Sequence, residues 1–163
     1  MIDPKHFRTV LGAYPTGVCV ITSVDAAGLR TGLVIGSFTS ISLDPPLVGF
    51  FPDKRSSSWP RIAETGRFCV NVLGADQLDL CRRFASRADD KFAELAHGHS
   101  PAGLPLLDDA LAWIDCRIER VEDIGDHWLV VGAVEALDAR AEGTPLLFFR
   151  GQYHDAVEIA QGV

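Results

Sequence analysis

This sequence predicts a mainly β fold, an antiparallel barrel with short peripheral helices, on three observations. Strand-like runs follow one another directly at both ends of the chain, without the steady strand–helix alternation that a parallel sheet requires. Six or seven such runs can be counted, and the helical patterns among them are short. The 163 residues, 47% of them hydrophobic, suit one compact domain over 1–163 and leave no room for a dinucleotide domain beside a substrate domain.

Asp3-Pro4 followed by Phe7, Val10, Leu11 and Tyr14 supplies an N-cap, a first-turn proline and an apolar stripe, so a short amphipathic helix is expected, ended by Pro15. Gly17 to Val24 is apolar and β-branched, Asp25 to Gly28 is a turn, and Leu29 to Phe38 completes a hairpin. Asp44-Pro45-Pro46 interrupts the chain before Leu47 to Phe51, a strand that stops at Pro52. Ser56 to Thr65 reads as a short helix ended by Gly66, Arg67 to Leu73 as a strand, and Asp76 to Arg87 as a helix with Leu78, Phe84 and Ala85 inward. His97 to Pro105 is expected to be an exposed loop. The last third holds Leu111 to Val121, with Ile114, Cys116 and Ile118 on one face. His127 to Leu137 follows across a Gly125-Asp126 turn, and Leu146 to Phe149 closes the series.

No apolar run approaches the roughly 18 residues that cross a bilayer, and Met1 to Pro15 holds Asp3, Lys5, His6 and Arg8 where a signal core would be apolar. A cytoplasmic protein with no membrane partner is expected. Cys19, Cys69, Cys81 and Cys116 are far apart and mostly inside apolar stretches, so they read as buried hydrophobes and not as zinc ligands or a redox pair. His97-x-His99 offers two ligand-type side chains with no third placed by spacing, so no metal is expected. The net charge is −7: residues 1–60 carry five Lys/Arg against four Asp/Glu, and residues 61–163 carry ten against eighteen. That acidity argues against nucleic acid as a partner. The glycine-rich phosphate loops, the Gly-x-Ser-x-Gly elbow and the His-Glu-x-x-His helix are all missing from the sequence, which leaves the usual nucleotide folds and hydrolases without support.

Three stretches carry chemistry. From Gly36 through Ser37, Phe38, Thr39 and Ser40 to Ser42, hydroxyls cluster at a strand end, where they and backbone N–H groups can serve a planar heteroaromatic ligand. A polar strand edge with Ser/Thr turns would look the same. Asp53, Lys54, Arg55, Ser56 and Ser57 place two cations and a run of serines where a helix begins, a setting that suits a phosphate or simply serine caps beside solvated charges. Asp126-His127 lies at the turn of two apolar strands, from which an imidazole can reach a pocket mouth to donate a proton or orient a ligand, or else stay solvated.

Tyr14-Pro-Thr-Gly-Val18, Ser37 to Leu47, Phe68 to Leu73, Phe84-Ala85, Lys91-Phe92, Gly125-Asp-His127 and Pro145 to Tyr153 run in order over nearly the whole chain. Together they resemble the short-chain flavin reductase family, the NAD(P)H:flavin oxidoreductase components of two-component flavin-dependent monooxygenases, built on the FMN-binding split barrel. The resemblance implies a split barrel, FMN or FAD as cofactor, NADH or NADPH as hydride donor, a homodimer, and a separate oxygenase that receives reduced flavin. It implies flavin contacts from Gly36, Ser37, Phe38, Thr39 and Ser40, with Gly36 standing where relatives commonly carry a small or amide-bearing side chain. It implies a phosphate end at Asp53, Lys54, Arg55, Ser56 and Ser57, and further cofactor contacts from Asn71, Phe84, Ala85, Lys91, Phe92, Arg150 and Tyr153. His127 is the implied catalytic residue, beside the nicotinamide. Hydride transfer between stacked rings is chiefly positioning, so no protein nucleophile is required. The alternative is a binding protein that holds a flavin or another planar cofactor in the same barrel without turning over pyridine nucleotide. Gly125 to His127 and Pro145 to Tyr153, on the nicotinamide side in similar proteins, favour the enzyme.

Overall fold

A computed structural model describes residues 1–160. The Asp3 carboxylate accepts the His6 N–H at 2.8 Å and starts α1 (Pro4–Leu11), as the cap and first-turn proline require. A two-residue strand β1 (Thr16–Gly17) precedes the hairpin β2 (Cys19–Val24) and β3 (Arg30–Ile35), whose turn is held by Asp25 Oδ1 accepting from Ala27 and Leu29 N–H. β4 (Thr39–Leu43) and β5 (Pro46–Phe50) follow. The serine-rich run read as a strand end is thus a strand itself. Its Asp44-Pro45 pair makes a hairpin turn, and Pro46 occupies the first position of β5, where a strand tolerates proline.

α2 (Trp59–Thr65) ends on Gly66 at φ 71°, a left-handed cap that glycine adopts freely. β6 (Arg67–Val72), a single 3-10 turn at Ala75–Gln77 and α3 (Leu78–Ala85) come next. The expected exposed loop at 97–105 is instead a small ribbon of β7 (His97–His99) and β8 (Pro105–Leu107), because Ser100 and Leu104 are buried and pair their backbones. The long hairpin β9 (Ala112–Ile124) and β10 (His127–Ala139) precedes β11 (Leu146–Phe149) and β12 (Gln152–Asp155). β12 has no apolar alternation to announce it.

Seven strands form the main sheet in the order β3-β2-β6-β9-β10-β5-β4, antiparallel throughout. β3 and β4 end that order with no ladder between them among the described residues, so hydrogen bonding leaves the sheet open. A second sheet, β1-β11-β12, shares no ladder with the first and is joined to it where Leu146 N–H donates to the Leu73 carbonyl at 3.0 Å. β2 is buried on both faces: Cys19 and Ile21 join Phe50, Trp59, Ile62 and Phe68 in one core, while Val18 and Val20 join Leu73, Phe84, Phe92 and Leu107 in another. Period-2 alternation sends neighbours to opposite faces, so the apolar run Val18–Ile21 needs two cores. In the first, Phe50 meets Trp59 and Phe68 edge-on at 5.7 and 5.2 Å. α2 caps that core and α3 caps the second. The open side of the sheet and these two helices define the surface on which the candidate site lies. No helix is long and apolar enough to cross a membrane.

Candidate functional site

Between β3, α3 and the segment after β5 lies a cleft of about 630 Å³. Leu33 and Val34 of β3, with Phe84 at the end of α3, give it an apolar wall. Gly32 permits this arrangement: a Cβ there would stand 2.3 Å from the Phe84 ring, so a larger residue would push α3 off the strand. Ala85, expected inward, is exposed to the cleft.

Lys91 fastens the segment after α3. Its ammonium donates to the Phe84 carbonyl at 2.8 Å and lies 3.5 Å from the Gly32 carbonyl, and partial burial holds its pKa below the usual lysine value. Arg83 donates to the carbonyls of Lys91, at 2.7 Å, and Ala93. The side chains of Arg87 and Lys91 are thereby presented on the rim facing Arg55, Ser56 and Ser57.

The opposite rim is a turn. Ser56 N–H donates to the Asp53 carbonyl at 2.9 Å, Arg55 N–H to Asp53 Oδ1 at 2.7 Å, and the Arg55 guanidinium pairs with the same carboxylate at 2.7 Å. These Arg55 hydrogen bonds hold the Asp53 carboxyl well below the usual carboxylate range, and His127 adds to the effect. Ser56 Oγ accepts from the N–H of Trp59, the first residue of α2, at 3.1 Å, while the N-cap position itself is Ser58. The turn is itself zipped to the β9–β10 hairpin: Lys54 N–H donates to the Asp126 carbonyl and Trp128 N–H to the Pro52 carbonyl, each at 3.0 Å.

A second chamber of about 450 Å³ continues from the first, sharing Arg55, Ser57, Ser58, Arg87 and Lys91 and adding Arg30, Arg61 and Asp89. Among the described residues neither Arg61 nor Arg87 forms an ion pair. The two chambers therefore gather five cations against Asp53 and Asp89 in a chain of net charge −7. Asp53, Arg55, Ser56, Ser57, Phe84, Ala85 and Lys91, all named from sequence, meet here.

Other expected site residues fall elsewhere. Lys54 does not line the cleft: its ammonium is spent on Asp123 at 2.6 Å and the Gly125 carbonyl at 2.7 Å, and it sits over the Trp128 ring. Asn71 is fully buried, donating to Val20 O and Thr22 Oγ1 and accepting from Leu107 N–H, so its amide is consumed in joining β2, β6 and β8. Phe92 is buried in the second core. Tyr153 lies 3.5 Å from Cys81 Sγ, and that contact, with burial, pushes its phenol up to about 12. Arg150 stands beside Lys5 and Arg8 of α1. Gly36, Ser37 and Phe38 link the cleft wall in β3 to β4. Ser37 Oγ accepts from Phe51 N–H at 2.9 Å, Phe38 leans on the first core, and Thr39 and Ser40 are exposed on the edge strand. His127 bridges Asp53 through the backbone, and its Nδ1 pairs with Asp126 at 2.6 Å, leaving Nε2 for a ligand.

Sequence reasoning did not assign Leu33, Val34, Arg61, Arg87 or Arg30 to the site, and Ser58 entered it only as the last of the serine run. The spacing of Ser57 and Ser58 to Arg61, four and three residues across a helix start, signals one shared face. Arg87 sits in an irregular segment and has no such signal.

A flat ligand with a phosphate fits these residues: an apolar wall for the ring, and unpaired Arg87 with Lys91 for the anion. The family model of the flavin reductase like domain matches residues 11–156. A flavin reductase of Pseudomonas putida is 51% identical over 93% of this chain and 89% of its own length. The reductase subunit of a flavin-dependent monooxygenase of Rhodococcus jostii is also 51% identical, over 93% of this chain and 77% of its own. The solved structure of the NADH:FAD oxidoreductase of Streptomyces globisporus, in complex with NAD and FAD fragments, superposes with a TM-score of 0.91 at 32% identity, covering 99% of both chains. By the extent of that match and the identity of these relatives, the chain belongs to the flavin reductase family.

Proposed function

We propose that this protein is an NADH-dependent flavin reductase whose reduced flavin serves a separate oxygenase. The carrying observation is the cleft that joins the Leu33–Val34–Phe84 wall to Arg87 and Lys91 in an otherwise acidic chain. Bound flavin supplies the redox chemistry, accepting a hydride from the nicotinamide. The protein's part is positioning. The apolar wall orients the ring, Ser57, Arg87 and Lys91 hold the phosphate end, and Asp53 keeps Arg55 in place on the rim. His127, at the Asp53 edge with its Nε2 unspent, orients the hydride donor. Transfer needs the reacting atoms about 3–3.5 Å apart, so small displacements of such groups cost rate.

A homodimer accompanies this reading. α1 buries none of its residues, and Phe7, Val10 and Leu11 are each about half exposed, at 52%, 53% and 54%, an apolar face that a second copy would cover. The four cysteines are all free thiols, which fits a reducing cytoplasm.

Anaerobic mixing of protein and flavin with NADH in a stopped-flow instrument should bleach the oxidised flavin. His127→Ala should slow that phase or raise the NADH KM while flavin affinity holds. Flavin binding without bleaching would select the binding-protein alternative, and no binding would reject both.

A further inference from the structure

We infer that the groove between α1 and the β11–β12 turn is an anion site, built for a phosphate dianion that is either free or the terminal group of a small phosphomonoester. It shares no lining residue with the cleft or with the second chamber.

The groove encloses about 480 Å³, and Lys5, Arg8 and Arg150 line it together with Gly12, Ala13 and Gly151. No carboxylate lines it. Lys5, Arg8 and Gly12 follow one another at three- and four-residue steps and so share one side of α1, while Phe7, Val10 and Leu11 share another. That division is ordinary for an amphipathic helix. The missing counter-charge is not: none of the three cations forms an ion pair among the described residues, in a chain that carries 22 Asp and Glu. Like charges gathered in one groove repel, and a bound anion removes that repulsion.

Arg150 supplies a second observation. Phe149 pairs with Gln152, so Arg150 and Gly151 form a two-residue hairpin loop, with φ of 49° and 78°. Positive φ at both loop positions favours Asn-Gly, and a long side chain at the first of them is conformationally costly. Arginine nevertheless stands there. Its backbone N–H donates to the Gly12 carbonyl at 3.0 Å, a bond that any residue but proline could make, and its guanidinium lies 5.0 Å from the centre of the Phe149 ring. The fold therefore accounts for the turn but not for the cation. Guanidinium forks from Arg8 on the helix and Arg150 on the turn can share the oxygens of one tetrahedral anion, with Lys5 adding a point charge. The anion would fasten α1, which buries none of its own residues, to the β11–β12 turn.

The test is isothermal titration of flavin-saturated protein, so that the cations of the cleft are already occupied, with sodium phosphate and separately with glucose 6-phosphate. Sodium chloride holds the ionic strength constant, and wild type is compared with Arg8→Ala and Arg150→Asn. Asparagine suits the left-handed turn, so Arg150→Asn should melt no lower than wild type when phosphate is absent. Wild type should bind one anion saturably, and each variant should weaken that binding at least about tenfold, as loss of a charged hydrogen-bond donor implies. Tighter binding of inorganic phosphate assigns the free ion, and ester binding at least as tight assigns a phosphorylated small molecule. Lack of saturable binding by either anion, or binding that both variants leave unchanged, would overturn the inference without touching flavin reduction. An Arg150→Asn protein that loses flavin affinity in place of phosphate affinity would overturn it by returning Arg150 to the flavin site.

Discussion

Asn71 shows what one side chain can be asked to do. An asparagine within an apolar strand can bind a ligand or satisfy buried backbone, and residue type does not separate the two. The structure commits its amide to Val20, Thr22 and Leu107. Replacing Asn71 by Ala leaves the buried Leu107 N–H without an acceptor, a loss of about 1–3 kcal/mol. Urea unfolding should register that loss, and the folded fraction should keep its flavin affinity. A parallel fall in affinity at unchanged stability would return Asn71 to the site. Lys54 carries the same lesson. Its charge was plain in the sequence, but its partner Asp123 is 69 residues away, and nothing local could announce that pairing. The cysteines were legible, since burial was their expected fate, and burial pushes Cys19 and Cys116 up to about 12.

Elements with strong local signals were readable. Asp3-Pro4 placed α1, Gly66 ended α2, and the alternation of Ile114, Cys116 and Ile118 placed β9. β4 and the β7–β8 ribbon were missed because hydroxyl-rich or histidine- and glycine-containing segments carry no apolar period; their pairing is imposed by β5 and by burial of Leu104. α1 carries the prediction at this scale. Phe7→Asp combined with Leu11→Asp should leave the helix cap and the two cores untouched and convert the proposed dimer, of twice 17.7 kDa, into a monomer in sedimentation velocity. Full burial of such side chains is worth about 1.5–3 kcal/mol each, and a carboxylate in their place opposes association. A double variant that sediments like wild type would remove α1 from the interface.

For the whole molecule, the antiparallel class followed from strand order alone, but the cleft draws on β3, α3, the Asp53 turn and the segment at Arg87, which only the folded topology assembles. The same topology leaves one part lightly held. β9 pairs with β6 only over 112–117, and β10 pairs with β5 only over 130–133. Beyond these, the hairpin tip is supported by little besides its own two strands and the clasp of Asp53 and Lys54. Segments with few supporting contacts open at low free energy. Lys54→Ala should therefore speed amide exchange at 121–129 and at 53–58 together, while β2 and β6 keep wild-type protection; exchange that rises at only one of the two segments would show them to be uncoupled. If they move as one, the rim of the cleft keeps time with the hairpin tip that carries His127. The residence time of a departing ligand is then set by how often that clasp lets go, and can be lengthened or shortened through Lys54 and Asp123, which do not line the cleft.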